Sequence, residues 1–369
     1  MKTELVPPPG HQDTAAPDRP RRSADRVTFR LPFPPVSGVL RLRMAAVCLA
    51  LAALTFLAFC VVVSVGDISL SLGEVVRALF GGGDPGTELI VHELRLPRAL
   101  AGLLVGIAFG VSGALLQTMT LNPLASPDMM GITQGAGTAV VAGIVLGWDG
   151  GLGTQGLGLA GALTAAALVY VLAWKRGTTG YRIVLVGVGI AWICTSCTDY
   201  LMANGQRFQA QAALGWLVGN LNGRTWDQIA PLALAMAVLI PAALLFGHQL
   251  RTLQLGDDVA RGLGTRVQTV RVAVLLISVG LVAFGTATAG PIAFVALAAP
   301  QVAQRLTGTA VPPPVAAGLT GALMVLVSDL IARKLIPDTE LPVGVVTGVL
   351  GAPVLLWLLV RANRAGSGG

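Results

Sequence analysis

The stretch Leu255-Gly256-Asp257-Asp258-Val259-Ala260-Arg261-Gly262-Leu263-Gly264 is the centre of a polar insert, His248 to Arg271, between two apolar runs, 229–247 and 272–289. Leu255, Val259 and Leu263 recur at i, i+4 and i+8, which predicts one apolar face of a short helix near 254–266. Asp257 and Asp258 fall in its first turn, where they favour the positive end of the helix dipole. Gly262 and Gly264 are expected to stop it. Two readings follow: a solvated loop helix, or a docking element for a soluble partner.

The runs on either side set the class. Apolar residues make up 54% of the 369, charged residues only 12%, and the 47 glycines suit helices that pack backbone to backbone. Mean hydropathy is +0.75. Apolar stretches near 44–65, 99–116, 131–148, 157–174, 183–203, 229–247, 272–289, 315–332 and 343–360 read as spans. A shorter one, 291–304, framed by Pro291 and Pro300, reads as a broken or tilted helix held inside the bundle. The expected fold is therefore all-α and polytopic, about ten transmembrane helices in one domain, 44–365. Residues 1–43, rich in proline and arginine with no apolar period, are expected to form a disordered basic tail that sits against lipid or sets topology.

Ten spans put both ends on one side of the membrane. That side receives 18 of the 25 lysines and arginines, among them Arg251, Arg261, Arg266 and Arg271, so it is expected to be cytoplasmic. The insert then faces the cytosol of a bacterial inner-membrane protein. Seven basic residues go to the opposite side: Arg77, Arg95, Arg98, Arg207, Arg224, Arg333 and Lys334. Arg95 and Arg98 flank Leu96-Pro97 where the second span begins, and Arg333 closes the ninth. Glu88, Glu93, Asp338 and Glu340 could neutralise them locally. Alternatively they form a basic ring that pairs with the carboxylates of a docking protein.

No catalytic set emerges. There is no phosphate-binding loop, no H-E-x-x-H and no G-x-S-x-G pattern. Three scattered histidines make no metal cluster, and Cys194 and Cys197 read as small packing residues despite their C-x-x-C spacing. Neither a cofactor nor nucleic acid is called for. Asp199 and Asp329 lie in or near spans, but neither stands mid-span beside other ionisable groups, and Asp329 is one helical turn from Arg333. An ion-coupled transporter is thus the weaker alternative, and any energy is expected to arrive from another polypeptide. Two loops on the cytoplasmic side could gate a path: Asn122 and Leu124 in a proline-fixed turn, and Thr178 and Thr179 in a glycine-flanked one.

Arg95-Leu96-Pro97-Arg98, Ser112-Gly113-Ala114, Asn122-Pro123-Leu124-Ala125, Leu255-Gly256 through Leu263-Gly264, Ala289-Gly290-Pro291-Ile292-Ala293-Phe294 and Glu340-Leu341-Pro342-Val343-Gly344-Val345-Val346-Thr347 together resemble the FecCD permease family. These are the membrane subunits of ATP-driven importers of ferric siderophores, haem and vitamin B12. The resemblance runs from about Met44 to the C-terminus, and Asn122 to Asp128 and Leu221 to Trp226 look most like its ferric enterobactin branch. It implies a permease subunit of an ABC importer that works with ABC ATPase subunits, a siderophore-binding protein or lipoprotein, and a second permease subunit. Gly256, Asp257, Asp258, Ala260, Arg261 and Gly264 would then belong to the helix that meets the ATPase. Arg95, Arg98 and Arg333 would meet acidic residues of the binding protein, and Asn122, Leu124, Thr178 and Thr179 would form the cytoplasmic gate. Vitamin B12 or haem remains an alternative cargo. Gln301 departs from the family, which commonly has histidine there.

Overall fold

A computed structural model describes residues 26–31, 36–66, 70–148, 153–174, 180–336 and 340–366. Two units are distinguished, Met1–Ala45 and Ala46–Gly369. In the first, β1 (Arg26–Leu31) and β2 (Val36–Arg41) pair antiparallel with Arg26 opposite Arg41 and Leu31 opposite Val36. The rest of the expected tail, residues 1–25 and 32–35, lies outside the described residues. Val27, Phe29 and Leu31 alternate with Arg26, Thr28 and Arg30, a period of two that short apolar content had masked.

Among the described residues, the regular elements from Leu42 onward are all helices. α1 (Leu42–Ser64) is followed by α2 (Leu72–Leu79) and α3 (Pro85–Leu89), which runs through a π turn, Ile90–Arg95, into α4 (Leu96–Thr120). Then come α5 (Ile132–Leu146), α6 (Gly153–Ala173), α7 (Gly180–Asn204), α8 (Arg207–Leu217) and α9 (Trp226–Leu245). The insert supplies α10 (Gly247–Leu253) and α11 (Asp257–Gly262), and α12 (Val267–Ala289), α13 (Val295–Thr307), α14 (Pro314–Lys334) and α15 (Val343–Gly366) complete the chain. Among the described residues, seven helices are long and apolar enough to cross a membrane. With the shorter apolar α5 and α15 and the half-length α13, they account for the ten expected segments.

The bundle is built around α4, which packs most extensively against α14 and α12. Small residues permit this. A Cβ at Gly106 or Gly110 would run into the backbone of α14 at Ala322 and Ala317, and one at Gly113 would overlap the Ala296 carbonyl of α13. Ser112 Oγ donates to the Ser278 carbonyl at 3.1 Å, joining α4 to α12 inside the core. Phe109, Leu115, Leu116, Leu281 and Val282, all fully buried or nearly so, fill the space between these helices.

The broken segment has the expected cause. α12 ends at Gly290, and Phe294, held at φ 66°, starts α13, with Pro300 inside it. The carbonyl of Ala289 at the break is met by a neighbouring loop, Asn220 N–H donating to it at 2.8 Å. Gln301 donates from Nε2 to Gln117 Oε1 at 2.7 Å, and Gln117 Nε2 donates to Leu297 O. A partly buried amide pair therefore joins α13 to α4.

Candidate coupling and docking sites

The insert forms two short helices, and the second is narrower than expected. α11 spans six residues; Gly262 belongs to its last turn, and Gly264, at φ 82°, makes the stop. Gly256 at φ 93° starts it, a conformation that a side chain would strain. Leu250, Leu253 and Ala260 are buried in the main core with Val267 and Val270 of α12. Thr252 and Thr265 share a hydroxyl hydrogen bond at 2.9 Å, and Thr265 N–H donates to Ala260 O, which closes the insert on itself.

The apolar face faces outward. Leu255, Val259 and Leu263 are 59%, 51% and 62% exposed, three large apolar side chains on a six-residue helix and its flanks. Asp258 and Arg261 pair beside them at 3.1 Å, both in solvent. The six residues assigned to this helix from sequence therefore divide. Asp258 and Arg261 are free to meet a partner, whereas Ala260 is buried and Asp257 turns back to pair with Arg271 of α12 at 3.0 Å. Gly256 and Gly264 shape the backbone. Arg271 was counted in the sequence only as a basic residue; no local period marks its partner.

On the opposite face, Arg95, Arg98 and Arg333 do come together, as a buried cluster. Arg95 is 7% exposed and donates from Nη1 to Val63 O at 3.1 Å and Ser64 O at 2.8 Å. Arg333 Nη1 donates to Val65 O at 3.2 Å and Val62 O at 3.4 Å. The two cations thus take the carbonyls that the last turn of α1 leaves without helical partners, at the negative end of its dipole. A Cβ on Gly66 would press against the Arg95 guanidinium, so the chain leaves α1 close against that side chain. Arg333 also pairs with Asp329, one turn earlier on α14, as its spacing predicts. Arg98 bridges the buried Asp329 at 2.9 Å and the half-exposed Glu340 at 3.0 Å.

Glu340 lies outside the spans, at the rim of the cluster. Burial pushes its carboxyl up, but the charge and hydrogen bond of Arg98, a hydrogen bond from Asn222 and the charge of Arg333 together hold it below the ordinary glutamate value. Among the described residues, Asp329 serves both Arg98 and Arg333, and Glu340 caps Arg98 at the rim.

The proline-fixed loop between α4 and α5 has the expected turn: Asn122 Oδ1 accepts from Leu124 N–H at 2.9 Å, after Leu121 at φ 53°. Leu124 is 37% exposed. In the same loop, Asp128 Oδ1 accepts from Thr133 Oγ1 at 2.8 Å. Burial pushes the Asp128 carboxyl up to about 6, with the Thr133 hydrogen bond acting against it. Thr178 and Thr179 lie outside the described residues. Cys194 and Cys197 are both free thiols, and no group of metal-ligating side chains occurs among the described residues.

A ten-segment helical bundle with a structured insert on one face and a buried charge cluster on the other defines a polytopic membrane transporter component. The chain belongs to the FecCD transport family, which matches residues 54–361. It is 38% identical over 299 residues to the ferric enterobactin transport system permease FepG of Escherichia coli K12, covering 81% of this chain and 91% of that one. It is 41% identical over 304 residues to the achromobactin transport system permease CbrC of Dickeya dadantii, covering 81% and 87%. A solved structure described as an inward-facing metal-chelate type ABC transporter matches with TM-score 0.76 at 25% identity, covering 86% of this chain and 99% of that one. The chain is accordingly a permease subunit of the iron-siderophore and vitamin B12 type of ABC importer, a multi-pass membrane protein and not an enzyme.

Proposed function

We propose that this permease carries a ferric siderophore inward and takes its power stroke from separate ATPase subunits that seat on α11. The observation that supports this most directly is the outward-facing triad Leu255, Val259 and Leu263 on a helix whose other side is anchored in the core. Three exposed apolar side chains together are costly in water unless a partner covers them. In this reading the chain lies in a bacterial inner membrane, and the excess of lysine and arginine on one side supports an insert and termini that face the cytoplasm. A second permease subunit would complete the path. Asn122 and Leu124, with Thr178 and Thr179, would gate it on the cytoplasmic side.

The cargo reading rests on relatives named for ferric enterobactin and achromobactin transport. Vitamin B12 is the second reading, because a B12 permease of Citrobacter koseri is 36% identical over 285 residues. Proteoliposomes holding the complete importer separate them: ATP-dependent accumulation of radiolabelled ferric catecholate, but not of cobalamin, is the expected result. Accumulation of cobalamin instead would overturn the cargo assignment. Uphill uptake by this chain alone would overturn the permease mechanism.

A binding protein would dock on the opposite face, where Arg95, Arg98 and Arg333 come together. Arg95 and Arg333 are occupied with α1, so they act by charge, and Arg98 with Glu340 forms the reachable rim. E340Q keeps the fold and adds one net positive charge. It should tighten receptor binding at low salt, with the difference fading as ionic strength rises. Unchanged affinity at low salt would remove the docking role.

A further inference from the structure

Among the described residues, one ion pair ties the insert to a spanning helix, and it joins Asp257 to Arg271. Arg271 sits in the first turns of α12 with 7% of its side chain exposed, and its guanidinium reaches both carboxylate oxygens, Nη2 to Oδ1 at 3.0 Å and Nη1 to Oδ2 at 3.4 Å. A buried arginine paired this way is directional: two parallel contacts resist rotation and sliding, which a single apolar contact does not. α10 contributes Leu250 and Leu253 to the core, but the share of α11 itself is small. The wholly buried side chain of α11 is Ala260, one methyl group. The other end of α12 leads into the core, where it packs against α4, α6 and α9 and accepts the Ser112 hydrogen bond.

We propose that Asp257 and Arg271 are positioning residues for transport: they make α11 and the start of α12 move as one body, so that displacement of the insert is delivered to the centre of the bundle. Asp257 then faces inward as a strut, and the ATPase touches only Leu255, Asp258, Val259, Arg261 and Leu263. The inference rests on the reading of α11 as the ATPase-coupling helix. It adds a division of labour within six residues: one side receives the push, the other transmits it. Loss of the strut separates hydrolysis from movement and leaves association intact.

The test uses the assembled importer in proteoliposomes, with wild type, D257N, the charge exchange D257R/R271D, and the triple variant L255S/V259S/L263S. ATPase co-purification, receptor-stimulated hydrolysis and cargo carried per ATP are measured together with the thermal midpoint. For D257N the expected result is wild-type co-purification with transport per ATP reduced by roughly tenfold, and D257R/R271D should recover a substantial part of it. Wild-type transport per ATP in D257N would overturn the strut. So would loss of ATPase association in a folded D257N, which would make Asp257 a direct contact. If D257N does not fold, the exchange variant decides: a restored fold with coupled transport supports the strut, and a restored fold with uncoupled hydrolysis overturns it. Full ATPase association in the triple variant would instead defeat the coupling-helix reading itself.

Discussion

Arg98 and Asp329, 231 residues apart in the chain, meet in an ion pair at 2.9 Å in which the carboxylate is almost completely buried. Asp329 also holds Arg333, so one carboxylate neutralises two cations from different helices. Arg333 in turn holds the end of α1. Asp329 thus links α4 to α14 directly, and through Arg333 it reaches the end of α1.

Replacing Asp329 by alanine should be severe, because it leaves two poorly solvated guanidinium groups with their main counter-charge gone. Breaking a buried pair by removing one partner costs about 3–5 kcal/mol. The thermal midpoint of the detergent-purified protein should fall sharply, and R98A/D329A should be less damaging than the sum of its single changes. Additive losses would show that Arg98 and Asp329 act independently.

Gly113 offers a contrast with Gly189. A Cβ at Gly113 would overlap the Ala296 carbonyl, backbone that cannot yield, so α4 and α13 would have to separate. Gly189, on α7, has no neighbour within 4 Å of the added atom. Gly113→Ala should destabilise by about 1–3 kcal/mol, the cost of forcing extra volume into a packed core, whereas Gly189→Ala should leave the thermal midpoint nearly unchanged. Equal effects would place the α4–α13 contact elsewhere.

Much of this was legible in the chain because membrane spans announce themselves by composition alone. The ten segments follow from hydropathy, and α11 from the four-residue recurrence of Leu255, Val259 and Leu263. Charge placement picked out Arg95, Arg98 and Arg333 as a group, but it could not tell what they hold. Two of them bind main-chain carbonyls of α1, and every residue carries such a carbonyl. Partners far along the chain are hidden for a similar reason. Gln301 meets Gln117 across 184 residues, and Asp257 meets Arg271 across a turn and a helix start that carry no common period. The N-terminal ladder escaped notice because six-residue alternation is a weak signal beside so many prolines and arginines.

Asp128 should give the loop before α5 a pH dependence. Its folded value of about 6 lies above the ordinary 3.8, so between these values the folded protein holds a proton that the unfolded chain has lost. Stability then falls as pH rises through that window and levels off above it. D128N keeps an acceptor for Thr133 Oγ1 and removes the titration. Thermal midpoints measured from about pH 4 to pH 7 should therefore slope downward more steeply for wild type than for D128N. Parallel curves would show that this carboxyl does not titrate between the two values.

Leu255, Val259 and Leu263 separate stability from association. Each is more than half exposed in the isolated chain, so serine at these positions removes little buried surface and should leave the thermal midpoint almost unchanged. Buried in a partner's cleft, each of the two leucines would contribute about 1.5–3 kcal/mol, and each 1.4 kcal/mol lost weakens association tenfold. L255S and L263S should therefore each lower ATPase affinity by roughly tenfold or more at constant fold. D258A and R261A, which break only a solvent-exposed pair, should have smaller effects that shrink further with added salt. Titrating purified ATPase onto permease variants in nanodiscs measures both sets directly. A larger loss from the charged pair than from the leucines would mean that the helix is recognised by charge, and that its apolar face lies on lipid.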